Sequence, residues 1–225
     1  MTLFETRSIL FTILLLSFSL PIQAGEIVNL NWFSGVASVA GTVIGPLVDP
    51  NNDDVAGDSS NVFIVAQKHY TGIGPVDIEF DVVPSGGVNE YFVMEGVDNS
   101  TPWDWSSYRI VLGFGVGADF EESDPGDELD FDAPDYNSPP DFSLNFSTVD
   151  ESEDVLLASG GIHSNTLGSS YAEYTFSFDV PDLPRGVTKF TLRQQPIAVP
   201  EPASVAIAGL TILAMLAWRR KGCMS

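Results

Sequence analysis

The feature that most restricts the fold is a strict alternation of apolar and charged residues in the stretch VDIEFDVV. Over residues 76–82, Val, Ile, Phe and Val alternate with Asp, Glu and Asp. A period of two places the apolar side chains on one face of a β-strand and the charged side chains on the other. The stretch therefore predicts a strand with one buried and one solvent-facing surface.

Similar stretches recur through the middle of the chain. Alternation continues in YTFSFDV (174–180) and VTKFTLR (187–193), and further strand-length runs are VFIVAQ, EYFVMEGV, YRIVLGFGVG and FSLNF. Clusters rich in Gly, Pro, Asn and Asp separate these runs, and no window between the termini has a convincing helical period. About eight to ten strands at this spacing predict an all-β domain, a single antiparallel β-sandwich of jelly-roll type.

The body between the termini is strongly acidic. The chain has a net charge of −22, and residues 25–199 hold 29 of the 31 acidic residues but 5 of the 9 Lys and Arg residues. Such a surface repels nucleic acid and attracts cations, which argues against a nucleic-acid partner. The single cysteine, Cys223, lies near the C-terminus, so the body has no disulfide framework.

The N-terminus has the layout of a secretory signal peptide. Arg7 precedes an apolar run from Ile9 to Leu20, and the small residue Ala24 follows. We expect residues 1–24 to be a signal peptide cleaved between Ala24 and Gly25 by the secretion machinery. The alternative is an uncleaved anchor, but the run is shorter than the roughly 20 residues that span a bilayer.

The C-terminus predicts a single transmembrane helix over residues 203–218. These 16 residues carry no charge and would form ~24 Å of helix, so they span a bilayer with help from their flanks. Trp218 sits where an interfacial aromatic belongs, and Arg219, Arg220 and Lys221 follow as a membrane stop. The basic tail, 219–225, is predicted to stay in the cytoplasm, with the acidic body outside. A buried core helix is the alternative.

The residues before this helix make the pattern more specific. Pro200, Glu201 and Pro202, followed by the helix and the basic tail, resemble the PEP-CTERM sorting signal of bacterial exported proteins. The resemblance implies an exosortase partner that recognises the Pro-Glu-Pro motif and removes the tail. It also implies a precursor anchored in the inner membrane and a mature form at the cell surface or in the extracellular matrix. The expected organisation is a signal peptide (1–24), an ectodomain (25–198) and a sorting segment (199–225).

A weaker resemblance covers part of the body. The segment from Val97 to Phe120 is similar to one common in β-sandwich ectodomains of PEP-CTERM proteins. The matching positions are Val97, Asn99, Thr101, Trp105, Tyr108, Leu112 and Gly113. This resemblance implies the sandwich fold and assigns no chemistry.

The sequence offers little support for catalysis. His69 and His163 lie outside any spaced metal motif, and no G-x-S-x-G elbow occurs. A Ser-His-Asp triad assembles in space, so spacing alone leaves a secreted hydrolase as a remote alternative. The leading hypothesis is a non-enzymatic surface or matrix protein without catalytic residues.

Two further hypotheses concern ligands. Trp103 and Trp105 are candidates for stacking against a glycan, which would make the body a lectin-like module for extracellular polysaccharide; the alternative is that one or both lie in the core. Two acidic clusters are candidate Ca²⁺ sites because hard cations prefer converging oxygen ligands. Their residues are Asp49, Asn51 and Asp53 in the first and Asp124, Asp127, Asp130 and Asp132 in the second. For each cluster the alternative is a solvated acidic loop.

Overall fold

A computed structural model of the chain describes residues 25–44, 62–84, 89–131, 139–165, 171–184 and 186–199. Strands account for 62% of these residues and none of them lies in an α-helix, which confirms the all-β prediction. Among the described residues, no helix has the length and apolarity needed to cross a membrane. The predicted signal peptide, transmembrane helix and basic tail lie outside the described residues.

The described part contains eleven strands and one short 3₁₀ turn at Gly117–Asp119. The strands are β1 (Gly25–Phe33), β2 (Ala37–Ile44), β3 (Val62–Tyr70), β4 (Val76–Pro84), β5 (Asn89–Asn99), β6 (Trp105–Phe114), β7 (Glu121–Glu122), β8 (Thr148–Glu151), β9 (Val155–Ser159), β10 (Tyr171–Val180) and β11 (Lys189–Ala198).

The strands form two open sheets. The larger sheet has the order β1-β4-β11-β6-β9-β8, with the two-residue β7 also paired to β6, and its pairs are antiparallel. The smaller sheet has the order β10-β5-β3-β2. Its strands β3 and β5 are parallel, whereas the sequence predicted an antiparallel arrangement. The chain between β3 and β5 crosses to the larger sheet to form β4, so these neighbours are joined by a crossover and not by a hairpin.

The two sheets contact each other across one aromatic core. Phe80 on β4 packs against Phe178 on β10, with ring centroids 5.9 Å apart. Tyr108 on β6 lies 6.2 Å from Tyr70 on β3 and 5.5 Å from Tyr174 on β10. Burial of such side chains is the main favourable contribution to folding, and this body relies on it without disulfides.

Alternation correctly predicted the buried face of β4. Val76, Ile78, Phe80 and Val82 are all buried in the core. Asp77, predicted to face solvent, is buried as well. Its carboxylate accepts two hydrogen bonds from Arg193, at 2.6 and 2.7 Å, so the charge is paired on the outer face of the larger sheet.

One predicted strand is wrong. The stretch FSLNF (142–146) forms a tight turn, in which Phe146 N donates a 2.9 Å hydrogen bond to the Phe142 carbonyl. Both phenylalanines are buried, while Leu144 between them is 68% exposed. Residues four apart share one side of a helical turn, so this spacing buries the two rings without a strand.

Candidate functional site

The last described residues connect the body to the predicted sorting motif. β11 lies inside the larger sheet between β4 and β6, and its final residue, Ala198, pairs with Trp105. Val199 N donates a hydrogen bond of 2.8 Å to the Asp104 carbonyl. The residue that precedes Pro200 is therefore tied to the body. Pro200, Glu201 and Pro202, together with Arg219, Arg220 and Lys221, lie outside the described residues.

The turn beside this exit is built by the Asn99 side chain. Its Oδ1 accepts hydrogen bonds from Thr101 N (3.0 Å) and Thr101 Oγ1 (2.7 Å). Its Nδ2 donates to the carbonyls of Trp103 (3.0 Å) and His163 (2.9 Å). Asn and Thr often stabilise turns through such local bonds. Asn99 and Thr101, two of the positions in the weaker resemblance, therefore have a structural role in this turn.

The two candidate glycan-stacking residues differ in accessibility. Trp105 is fully buried and its Nε1 donates to Thr101 Oγ1 at 3.1 Å, so its indole has no face open to a sugar. The glycan role predicted for Trp105 is therefore wrong, because the ring packs against Tyr70 and Tyr108 instead. Trp103 is 39% exposed and keeps an accessible surface.

The described part of the chain contains no group of three acidic, His or Cys residues that could hold a metal ion. Asp124, Asp127 and Asp130 are not found as such a group among these residues, and Asp127 Oδ1 accepts a 3.0 Å hydrogen bond from Leu129 N. Asp130 forms a backbone bridge with Asp179. Asp132, and the first cluster of Asp49, Asn51 and Asp53, lie outside the described residues.

The core holds an ion pair between Lys68 on β3 and Glu95 on β5. Both side chains have 0% exposure, and Lys68 Nζ contacts Glu95 Oε2. Burial lowers the pKa of Lys68, although the neighbouring carboxylate opposes that shift. Taking two charges out of water costs several kcal/mol per ion, on the order of what their attraction returns. Such a pair is therefore weak evidence for stability and points to another role.

The pair continues into a hydrogen-bonded network that reaches the other sheet. Gln194 Nε2 on β11 donates to Glu95 Oε2 at 2.9 Å, and Tyr108 OH donates to Gln194 Oε1 at 2.9 Å. The Tyr108 and Tyr70 hydroxyls are 3.0 Å apart. Burial raises the pKa of both phenols, so each stays protonated. We call Lys68, Glu95, Gln194 and Tyr108 the core tetrad.

A second polar cluster lies on the outer face of the smaller sheet. His69 Nδ1 is 2.5 Å from Asp98 Oδ2 and 3.5 Å from Ser100 Oγ, beside a shallow cavity of about 220 Å³. In a Ser-His-Asp triad the serine and the aspartate contact opposite ring nitrogens. Here Asp98 and Ser100 contact the same nitrogen, and Ser100 Oγ donates to Asp98 at 3.1 Å. The arrangement does not give Ser100 a catalytic base.

His163 belongs to the core. Its Nδ1 lies 2.8 Å from Tyr174 OH, and its backbone pairs with that of Trp105. These contacts fix His163 beside Trp105, the first residue of β6.

The core tetrad was missed by the sequence analysis, although a signal was present. In VFIVAQKHY, Lys68 is in phase with Tyr70, on the face of β3 that becomes the core. A lysine on the apolar face of a strand, in a body with five basic residues, predicts a buried partner. The identity of that partner depends on the parallel β3–β5 pairing, which local patterns do not reveal.

The comparisons with known proteins concern the C-terminal end. A family model for the PEP-CTERM protein-sorting motif matches residues 198–221. No curated protein and no solved structure matches the chain. The matched segment starts at Ala198, the last residue of β11. The protein therefore carries a PEP-CTERM protein-sorting motif that follows directly from a central strand of its all-β body.

Proposed function

We propose that this protein is an exported, non-enzymatic component of the cell surface or extracellular matrix, sorted by an exosortase that reads Pro200, Glu201 and Pro202. The match to the sorting motif over residues 198–221 carries the proposal. That motif supports export and an exosortase partner. The non-enzymatic role and the final location are the finer parts of the proposal.

The position of the motif suits recognition close to the membrane. Val199 is hydrogen-bonded to Asp104, so the motif starts directly at the surface of the body, without a linker. Two prolines disfavour a helix at the motif and keep the backbone extended for an enzyme to read. The predicted span and the basic residues at 219–221 would then hold the motif at the outer face.

One feature of the body suits signal cleavage after Ala24, and another supports a non-enzymatic role. β1 begins at Gly25, the first residue expected after signal cleavage, and Gly25 is already buried, with its carbonyl accepting a 2.9 Å hydrogen bond from Asn89. The described histidines are bound in contacts that do not resemble a hydrolytic centre. The mature chain would then be an acidic all-β domain built from two packed sheets.

Intact mass of protein extracted from exosortase-containing cells tests the sorting. We expect a mature chain that begins near Gly25 and lacks the residues from about Pro202 onward. Glu201→Gln should leave a membrane-bound precursor, whereas Glu173→Gln, which removes an equally charged residue exposed on β10, should be processed normally. Recovery of the native sequence through Ser225 in these cells would refute the proposal.

Carbohydrate binding is the second candidate, and the exposed indole of Trp103 favours it. Trp103 precedes Asp104, whose carbonyl accepts the hydrogen bond from Val199, so this residue lies next to the exit of the sorting segment. A glycan array probed with the wild-type body and with Trp103→Ala tests this function. Binding that disappears in the variant supports a lectin that uses Trp103. Equal binding by both proteins would refute the role of Trp103, and no binding by the wild type would refute carbohydrate binding.

A further inference from the structure

One oxygen atom in the core contacts both an amine and a primary amide. Glu95 Oε2 accepts from Lys68 Nζ of the smaller sheet and, at 2.9 Å, from Gln194 Nε2 of the larger sheet. The two nitrogen atoms thus lie beside a single carboxylate oxygen. These three groups are the components of an acyl transfer: a nucleophile, a proton carrier and an acyl donor.

The surroundings favour that chemistry. Lys68 and Glu95 are fully buried among aromatic rings, and Lys68 Nζ lies 6.0 Å from the centre of the Tyr108 ring. Burial lowers the pKa of Lys68, which favours the neutral, nucleophilic amine. Tyr108 OH donates to Gln194 Oε1, the atom on which negative charge would develop.

The remaining oxygen of the carboxylate also needs an explanation. Glu95 Oε1 is buried and accepts no hydrogen bond from the residues that the structure describes. An unsatisfied buried oxygen costs about 1–3 kcal/mol, and more when it is charged. Such groups are uncommon in folded proteins, and a catalytic role is one of the explanations for them.

We infer that Lys68 and Gln194 form an intramolecular isopeptide bond, and that Glu95 carries the protons for this reaction. The bond would join β3 of the smaller sheet to β11 of the larger one. The inference goes beyond the proposed function and does not depend on sorting. It assigns the core tetrad as a self-modification site.

The reaction balances without any co-reactant. Lys68 Nζ first gives a proton to Glu95, and the neutral amine attacks Cδ of Gln194 once the two atoms approach to about 3–3.5 Å. Tyr108 stabilises the oxyanion at Oε1. Glu95 protonates Nε2 and takes a proton from the attacking nitrogen. The Cδ–Nε2 bond then breaks, ammonia leaves, and an amide links Nζ to Cδ. No group is oxidised or reduced.

The bond would give this body the covalent connection that it otherwise lacks. The only cysteine of the chain is Cys223, in the C-terminal segment, so the sheets cannot be joined by a disulfide. A cross-link between residues 68 and 194 closes a long loop, and loop closure restricts the unfolded chain. The consequence is a domain that keeps its sheets together after its hydrogen bonds break.

Peptide mass spectrometry of the purified full-length chain tests the inference. Cleavage after Asp and Glu under denaturing conditions should give a branched peptide that joins residues 59–77 to residues 183–225, because the Glu201–Pro202 bond resists such cleavage and no acidic residue follows it. Its mass should equal the sum of the two peptides less one ammonia molecule. Trypsin is unsuitable because it creates a peptide with Gln194 at its N-terminus, and cyclisation of that residue also releases ammonia.

Three variants test the roles within the tetrad. Glu95→Gln should fold, as judged by circular dichroism, and show no branched peptide. Tyr108→Phe should slow formation of the bond by about 10²–10³-fold, the usual effect of losing an oxyanion donor. Tyr70→Phe is the matched control: it removes a neighbouring phenol that contacts Tyr108 but not Gln194, and should form the bond at nearly the wild-type rate.

The wild-type protein alone can overturn the inference, so misfolding of a variant does not obscure the result. Separate, unmodified peptides 59–77 and 183–225 from fully folded protein would refute it. A branched peptide that joins Lys68 to Glu95, with loss of water, would also refute it. A Tyr70→Phe variant as slow as Tyr108→Phe would refute the assigned role of Tyr108.

Discussion

Trp105 Nε1 donates a hydrogen bond of 3.1 Å to Thr101 Oγ1, and this bond joins the start of β6 to the turn that precedes it. The same indole packs edge-on against Tyr70, with centroids 5.2 Å apart. One side chain thus connects the turn beside the sorting segment to the core between the sheets. The stability of that end of the body should depend on it.

We expect Trp105→Ala to lower the free energy of unfolding by about 3–5 kcal/mol, because it leaves a cavity in the core. Trp103→Ala, two residues away in the sequence but 39% exposed, is the control and should change stability by about 0.5 kcal/mol or less. Urea unfolding of the purified protein measures both. Equal effects of the two variants would contradict the packing described for Trp105.

Asn99→Asp should destabilise the turn despite its nearly unchanged shape. The carboxylate cannot donate, so the carbonyls of Trp103 and His163 each lose a hydrogen bond, at about 0.5–1.5 kcal/mol per bond because each carbonyl keeps a second donor. Asn165→Asp is the matched control, since that side chain donates one exposed hydrogen bond, to Pro102. In thermal unfolding, the Tm of Asn99→Asp should be well below that of Asn165→Asp. The reverse order would contradict the hydrogen bonds assigned to the Asn99 side chain.

The ion pair between Asp77 and Arg193 should be worth more than a typical surface pair. The two residues are direct cross-strand partners, and the Asp77 carboxylate is nearly inaccessible. Removing one partner of a buried pair costs about 3–5 kcal/mol, so Asp77→Ala should approach that range. The exposed pair of Arg109 and Glu122 should contribute about 0–1 kcal/mol. Double-mutant cycles measure both coupling energies, and similar values for the two pairs would disprove this ranking.

Mild acidification should increase the contribution of Asp154 to the free energy of unfolding. Burial, together with nearby carboxylates such as Asp127, raises the pKa of Asp154, although Ser123 donates a hydrogen bond to it. The folded protein therefore binds this proton at a higher pH than the unfolded chain does. Its contribution to stability grows as the pH falls from neutrality toward the ordinary aspartate pKa of 3.8.

Asp154→Asn tests this sign. The variant should be more stable than the wild type at pH 7 and should lose part of the rise in stability on acidification. Glu121→Gln, an exposed residue, removes the same charge and controls for overall repulsion. Denaturant unfolding between pH 7 and pH 4 measures the slopes. The sign is incorrect if Asp154→Asn lowers stability at pH 7 and keeps the wild-type slope.

The sequence predicted those parts of the fold that depend on local pattern. The alternation around Phe80 placed the correct face of β4 in the core, and the run from Tyr174 to Val180 did the same for β10. The sorting motif was equally readable, because an exosortase reads a short contiguous segment. For these two strands, the sequence pattern and the structure that it predicts occupy the same few residues.

Features that depend on distant pairing were not predictable in this way. Because β3 and β5 pair in parallel, Lys68 lies next to Glu95. Gln194, on β11 of the larger sheet, then donates a hydrogen bond to Glu95. The alternation in β4 correctly places Asp77 on the face opposite the core, so we expected its carboxylate in solvent. Arg193 on the neighbouring strand β11 binds and covers that carboxylate. When two side chains meet across strands or across sheets, the residues next to each of them in the sequence do not reveal the contact.

The position of β11 has a mechanical consequence. In the proposed precursor, the tail is held by the membrane, so any drag on the body pulls along β11 from its C-terminal end. Hydrogen bonds of antiparallel strands run perpendicular to the strands, and β11 is bonded to β4 on one side and β6 on the other. Such a force loads the hydrogen bonds of both strand pairs at the same time, whereas a pull on an edge strand breaks them one after another. The membrane-held tail is therefore attached to a strand that resists extension of the domain.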